Sequence, residues 1–392
     1  MRHISYADVF NIAKQENKPV MLFFHFDGCG ACVEMQKTVF ADPQVAAFYN
    51  QHFVCMEVNT RKGEGIETNK IYKVQMHPTF MFLDSAGTIL DKLVGVFTPN
   101  QFVQTGQNVL ARRFTLNAFQ QQYKKGNRDA AFLLSYCYKL NDAYELDSDM
   151  INQYLKTQSM EDFGKEENIR FIYEFSLLHY HNTIMYNSPA FNYMVSHKDK
   201  FNALFDPKQV DSRILWILST AAYDATTDDA TFNKILGMLK DYDNGNAHEF
   251  REMDGRLTGM QTNKHIVLTA KLYRYELKGD RTMYEEALKE LTARMWNQQE
   301  ELNNMAWGWY ESKSNAADIA QAIEWSKRSI ELNNNYANND TYAALLYKAG
   351  RNKEALAQAD KAIAIAKEKS QDYRSTTELL QKMKEGEQGG KK

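Results

Sequence analysis

Val20-Met21-Leu22-Phe23-Phe24-His25-Phe26-Asp27-Gly28-Cys29-Gly30-Ala31-Cys32 is the stretch that decides the fold of this chain. Val20 to Phe26 is a nearly continuous apolar run, the pattern of a strand buried on both faces. Asp27-Gly28 makes a turn. Cys29 then opens a helix predicted to reach about Thr38. A thiol at that position faces unpaired backbone N–H groups and the positive end of the helix dipole, and both favour the thiolate. Cys32 lies one turn further into the helix, within reach of Cys29. Thiol–disulfide exchange needs these two parts: an exposed, acidic sulfur to attack (Cys29) and a shielded one to resolve the mixed disulfide (Cys32). The reading calls for no separate cofactor, because the redox group is the Cys29–Cys32 pair itself.

The flanks extend the pattern. Ser5 is a predicted N-cap with Asp8 as its partner, starting a helix that Lys18-Pro19 ends. A helix follows Asp42-Pro43, and Phe53 to Val58 reads as a second strand. A loop with Gly63 and Gly65 leads to a helix near Ile66 to Tyr72. His77-Pro78 starts a third strand, to Leu83. Asp84-Ser85-Ala86-Gly87 turns it into a fourth, Thr88 to Val96, and a helix from Pro99 to about Arg112 closes the unit. Strands alternate with helices and then pair as a hairpin, which predicts an α/β domain, residues 1–112, with a mixed sheet and helices on both faces.

These pieces together resemble the thioredoxin family over residues 5–110. The segment Cys29 to Val45 is similar to two branches of it. One is the periplasmic domain of bacterial transmembrane disulfide reductases. The other is a set of exported bacterial thioredoxin-like proteins with long helical tails. The resemblance implies that Pro78 is cis, packed beside the two sulfurs, with His77 offering backbone to a substrate chain. It implies that Gly28, Gly30 and Ala31 shape the site, and that the clients are protein thiols or disulfides served by a thiol donor or acceptor. Three positions depart from the family pattern. Gly28 stands where Trp is usual, Gly30-Ala31 replaces Gly-Pro, and Phe23 occupies the place of a buried Asp that moves a proton for the resolving thiol. Glu34, Glu57 and water are the substitutes considered for that Asp. His77, directed at Cys29 and charged, would stabilise its thiolate.

From about residue 113 the character changes to helical spacing with turn signals at Gly126, Asn187-Ser188-Pro189, Gly279 and Gly350. No further strand is predicted. Ala287, Ala322 and Ala355 recur at roughly the tetratricopeptide period. The expectation is an all-α tetratricopeptide-like solenoid over 113–384, clearest over 263–366, with a disordered polar tail over 385–392. Aromatic stripes at Phe171 to Tyr180 and Trp307 to Tyr310 read as packing faces.

Composition excludes several classes. The net charge of −3 and the absence of a basic block argue against nucleic acid. No apolar run is long enough to span a membrane. Four cysteines are too few for a disulfide scaffold in 392 residues. Cys55 and Cys137 therefore read as core thiols, and His25 as a core histidine. Met1-Arg2-His3 leads directly into the first helix without a leader pattern, so a periplasmic or exported location rests on the resemblance, against a cytoplasmic alternative. The leading expectation is a thiol:disulfide oxidoreductase, leaning to reduction, whose helical part recruits a client or partner. Its rivals are a binding scaffold with a low-activity redox fold and a soft-metal carrier using Cys29, Cys32 and His77. No metal site is assigned.

Overall fold

The computed structural model describes residues 4–178, 181–182, 184–224, 226–241, 248–251, 257–261 and 263–389. Its first part runs α1 (Tyr6–Glu16), β1 (Val20–His25), α2 (Gly30–Glu34), α3 (Pro43–His52), β2 (Val54–Asn59), α4 (Gly65–Tyr72), β3 (Thr79–Leu83), β4 (Ile89–Val94) and α5 (Pro99–Ala111). A π-helical turn, Met35–Val39, continues α2. The sheet order is β2-β1-β3-β4. β1 is parallel to β2 and antiparallel to β3, which pairs antiparallel with β4.

Strand alternation explains the layers. Val20, Leu22 and Phe24 of β1 pack in one core with Val9 and Ala13 of α1 and with Val74, just after α4. Met21 and Phe23 face the other way, into a core with Met35, Val39, Tyr49 of α3 and Phe102 of α5. Both faces of β1 are thus dry, as its unbroken apolar sequence requires. Phe23, Phe24, Phe80, Phe82 and Phe102 are at most 1% exposed, and each contributes about 1.5–3 kcal/mol by its burial. Side chains start the helices. Ser5 accepts from the Asp8 N–H, Asp42 from Gln44 and Val45, and Thr98 forms a capping box with Gln101.

The described residues form two compact units, one within Met1–Ile217 and the other within Leu218–Arg251 and Leu257–Lys392. The first therefore continues beyond α5 into α6 (Leu116–Lys124), α7 (Ala130–Asp142) and α8 (Ser148–Leu155). Their core includes Phe119, Tyr136, Cys137, Ile151 and Tyr154, together with Phe171 and Phe175. The second unit is built largely of paired helices, among them Asn263–Lys278, Arg281–Met295, Gln299–Ser312, Ala316–Leu332, Tyr336–Lys348 and Asn352–Glu368. Ala287, Ala322 and Ala355 are all buried in its core. Trp309 packs edge-on against Trp325, ring centroids 4.5 Å apart, so part of the Trp307 to Tyr310 stripe is indeed a packing face. Tyr180, at the end of the other stripe, lies outside the described residues. Gly350, at φ +76°, closes the turn before Asn352–Glu368 with a conformation that side chains resist.

Two expectations need correction. Two short hairpins interrupt the helices: Leu177–Leu178 with His181–Asn182, and His248–Arg251 with Leu257–Gln261. Strands of two to five residues are too short for alternation to register in the sequence. The tail expected to be disordered from Glu385 continues the last helix, Arg374–Gly389, since Glu385, Glu387 and Gln388 are ordinary helix-compatible residues. Beyond residue 389 the tail lies outside the described residues.

Candidate functional site

The turn Asp27-Gly28 delivers the chain from the end of β1 to the start of α2. Gly28 takes φ +88°, a left-handed conformation open to glycine at little cost. This backbone requirement accounts for glycine at that position. A Cβ at Gly28 or at Gly30 would meet nothing within 4 Å, so both flanks of Cys29 are open. Ala31, between them and Cys32, is half-buried against the core that holds both sulfurs.

Cys29 is the N-cap of α2. Its sulfur accepts the Cys32 backbone N–H at 3.2 Å, which satisfies one of the orphan donors of the helix start. The two sulfurs form a disulfide. Cys29 is 7% exposed and Cys32 2%. Cys29 is thus the more accessible of the two, but less exposed than expected, because in the disulfide its Sγ is tied back onto the helix. The His77–Pro78 peptide is cis, and Pro78 is buried at the start of β3.

The loop after β2 walls one side of the site. Thr60 donates its backbone N–H to the His25 carbonyl at 2.8 Å, and its hydroxyl bonds the same oxygen at 3.1 Å. That hydroxyl also lies 3.0 Å from His77 Nε2. The single hydroxyl proton goes to the carbonyl, so Nε2 of His77 is the donor to Thr60. The His77 ring also packs edge-on against Phe26, centroids 5.1 Å apart. Burial, and then the nearby charges of Arg61 and His25, hold the His77 imidazole below its ordinary pKa. The ring is engaged with Thr60, and its surroundings favour the neutral form over the imidazolium that would support the Cys29 thiolate. The Arg61 guanidinium lies over the other side of the wall, 3.7 Å from the Phe26 ring centroid.

At the position where the family has an Asp, Phe23 stacks between Phe80 and His25, at 5.3 Å and 5.2 Å. A carboxylate is instead found across the strand pair, where Glu57 is the register partner of Phe23. Glu57 Oε1 lies 3.0 Å from His25 Nε2 and accepts from Gln36 Nε2 at 3.0 Å. Gln36 sits four residues after Cys32 on the same helical run, so this polar chain reaches the helix that carries the resolving sulfur. Glu34 is on the exposed side of α2. His25 is thus a largely buried histidine whose ring nitrogen is satisfied, as strand alternation led one to expect; its partner on β2 was not visible in the sequence. Among the described residues no group of three or more His, Cys, Asp or Glu side chains is arranged to hold a metal ion, and no helix is long and apolar enough to cross a membrane.

The fold and the paired sulfurs at a helix start define a thioredoxin-like domain, and residues 6–110 match the family model described as Thioredoxin-like domain. This part of the chain is homologous to the corresponding domain of thiol:disulfide interchange proteins DsbD. The protein of that name from Vibrio vulnificus is 36% identical over 102 residues, which are 25% of this chain and 17% of that one. The one from Yersinia pestis (strain Pestoides F) is 31% identical over 121 residues, 28% of this chain and 20% of that one. The chain thus matches a fifth or less of the length of these curated relatives. A thioredoxin from Thermus thermophilus is 28% identical, covering 27% of this chain and 85% of its own, with a TM-score of 0.26.

Proposed function

We propose that this protein is a thiol:disulfide oxidoreductase acting on protein disulfides, with reduction as its direction. The carrying observation is the Cys29 sulfur at the N-cap of α2, bonded to Cys32 and flanked by two side-chain-free glycines. In the reduced protein the Cys29 thiolate attacks one sulfur of a client disulfide and expels the other as a thiolate, which takes up a proton. Cys32 then loses its proton and attacks Cys29 Sγ, releasing the second client thiol. The client gains two electrons and two protons, and Cys29–Cys32 becomes the disulfide. A thiol donor restores the dithiol by the same exchange in reverse. Glu57, held by His25 and Gln36 and paired in register with Phe23, is the carboxylate this reading puts forward as the base for Cys32 in place of the missing Asp.

The likeness to DsbD proteins, which are named for thiol:disulfide interchange, supports this chemistry and a periplasmic or exported location, and the reductive direction rests on the reductase-like segment Cys29 to Val45. The α/β domain takes residues 1–112 in this reading. The paired helices and the buried Ala287, Ala322 and Ala355 support a tetratricopeptide-like role for the remainder, which would hold a client or partner chain. Phe23 in place of the Asp favours one rival, a binding scaffold with little turnover.

Insulin reduction by the full chain with dithiothreitol separates the two. We expect turnover that Cys29→Ser abolishes and Cys32→Ser lowers, with the Cys29–client mixed disulfide accumulating when the pre-reduced Cys32→Ser protein meets insulin without dithiothreitol. Turnover that is indifferent to Cys29 would leave the scaffold.

A further inference from the structure

The wall beside the disulfide spends almost every polar group on itself. Asp27 pairs with Lys62 and accepts from Asn59 Nδ2 at 2.8 Å. Asn59 Oδ1 in turn accepts the Arg61 backbone N–H at 3.0 Å. Thr60 is taken by His25 and His77. The neutral tendency of His77 removes a second positive charge from the same spot. What remains is the Arg61 guanidinium. It is exposed, and among the described residues it has no carboxylate partner. Its central carbon lies over the ring of Phe26, 3.7 Å from the centroid, and the Phe26 carbonyl accepts the Cys29 N–H at 3.2 Å. The contact with the ring positions the guanidinium, and among the described residues no carboxylate takes its N–H donors. A fork of donors held in place is the arrangement that recognises a carboxylate.

We propose that Arg61 is a specificity-determining residue that receives an acidic side chain, Asp or Glu, flanking the client cysteine. The inference rests on the oxidoreductase reading, and Arg61 acts in binding, not in sulfur exchange. Lys62 does not substitute for it, because Asp27 neutralises it. The lowered pKa of His77 comes first from its burial and then from this same charge.

The test measures binding and turnover separately. In the full-length Cys29→Ser/Cys32→Ser protein, fluorescence anisotropy compares two labelled peptides that differ only in Glu or Lys beside a central Ser. An exposed charge pair corresponds to a preference of about three- to fivefold for the Glu peptide at low salt. High salt should erase it, and Arg61→Glu should invert it, while Arg61→Lys keeps the sign with a smaller ratio. A ratio that Arg61→Glu leaves unchanged would overturn the proposal. The redox reading is scored separately, by Cys29-dependent reduction of a neutral-flanked disulfide peptide by the otherwise unsubstituted chain. If that reduction is absent while the binding ratio follows Arg61, the redox assignment falls and an acidic-peptide site remains.

Discussion

Lys139 of α7 places its ammonium 2.7 Å from the carboxylate of Asp91, in the middle of β4. The other Asp91 oxygen accepts the Leu116 N–H, at the start of α6, at 2.9 Å. The Asp91 side chain is 1% exposed and that of Lys139 10%. One strand carboxylate thus fastens the first two helices of the helical part to the thioredoxin-like sheet. Breaking a buried pair from one side strands the other charge and costs about 3–5 kcal/mol. Lys139→Met and Asp91→Asn should each lower the stability of the first unit by that order in urea titration followed by far-UV circular dichroism. Asn keeps an acceptor for Leu116, so the double variant should lose much less than the two single losses combined. A Lys139→Met protein within about 0.5 kcal/mol of wild type would contradict the assigned role.

The four cysteines should differ sharply in reactivity once the disulfide is reduced. Cys29 sits at a helix N-terminus between two glycines, which favours a thiolate pKa below the ~8.5 of a free cysteine. Cys55 is 6% exposed and lines a cavity of about 380 Å³ with Glu57 and Tyr49, which places it between Cys29 and Cys137. Cys137 is fully buried, and burial pushes its thiol up to about 12. With limiting iodoacetamide at pH 7, peptide mapping should find Cys29 labelled first, Cys55 slowly, and Cys137 only on unfolding. Early labelling of Cys137 would show that the helical core around it opens.

What the sequence disclosed was what is decided locally. The Ser5–Asp8 cap, the Asp27-Gly28 turn, the helix start at Cys29 and the burial of β1 all depend on neighbours within a few residues, and they could be read directly. The Asp91–Lys139 pair joins positions 48 apart, and the Glu57–His25 pair depends on the register of β2 against β1. Neither leaves a trace in periodicity. His77 shows the same limit. Its place before Pro78 was legible, but the direction of its ring was set by Thr60, on a different loop, and by Phe26.

In the second unit, Glu301 provides a pH-dependent handle. Burial would raise its pKa, but hydrogen bonds and charge from His265 and Arg294 outweigh that and bring it down to about 2. A carboxylate depressed in the fold contributes its full stability above the unfolded value, near 4.5. That contribution shrinks as pH falls below 4.5 and is gone once pH passes below the folded value, near 2. The side chain is 21% exposed, and the contribution is at most about 3 kcal/mol. Thermal unfolding between pH 5 and pH 3, followed through Trp309 and Trp325, should show this loss in wild type and a flatter profile in Glu301→Gln. Equal slopes in the two proteins would refute the assignment.

The last prediction concerns His77 and runs opposite to the role its position first suggests. Burial, Arg61 and His25 all disfavour its charged form in the folded state, so its folded pKa lies below 6.5. The sign for stability follows. Above pH 6.5 both folded and unfolded imidazoles are neutral and nothing is lost. Below it the unfolded chain binds the proton first, and the fold weakens as pH falls until the folded ring also titrates. In proton NMR, the His77 ring should titrate with a midpoint below 6.5. Arg61→Gln should raise that midpoint by removing one of the repelling charges, while His77→Gln should leave the pH profile of Cys29 alkylation without a lost inflection near 6.5. A midpoint at or above 6.5, or a Cys29 profile that loses such an inflection in His77→Gln, would restore the imidazolium to the site and make His77 the group that tunes the attacking sulfur.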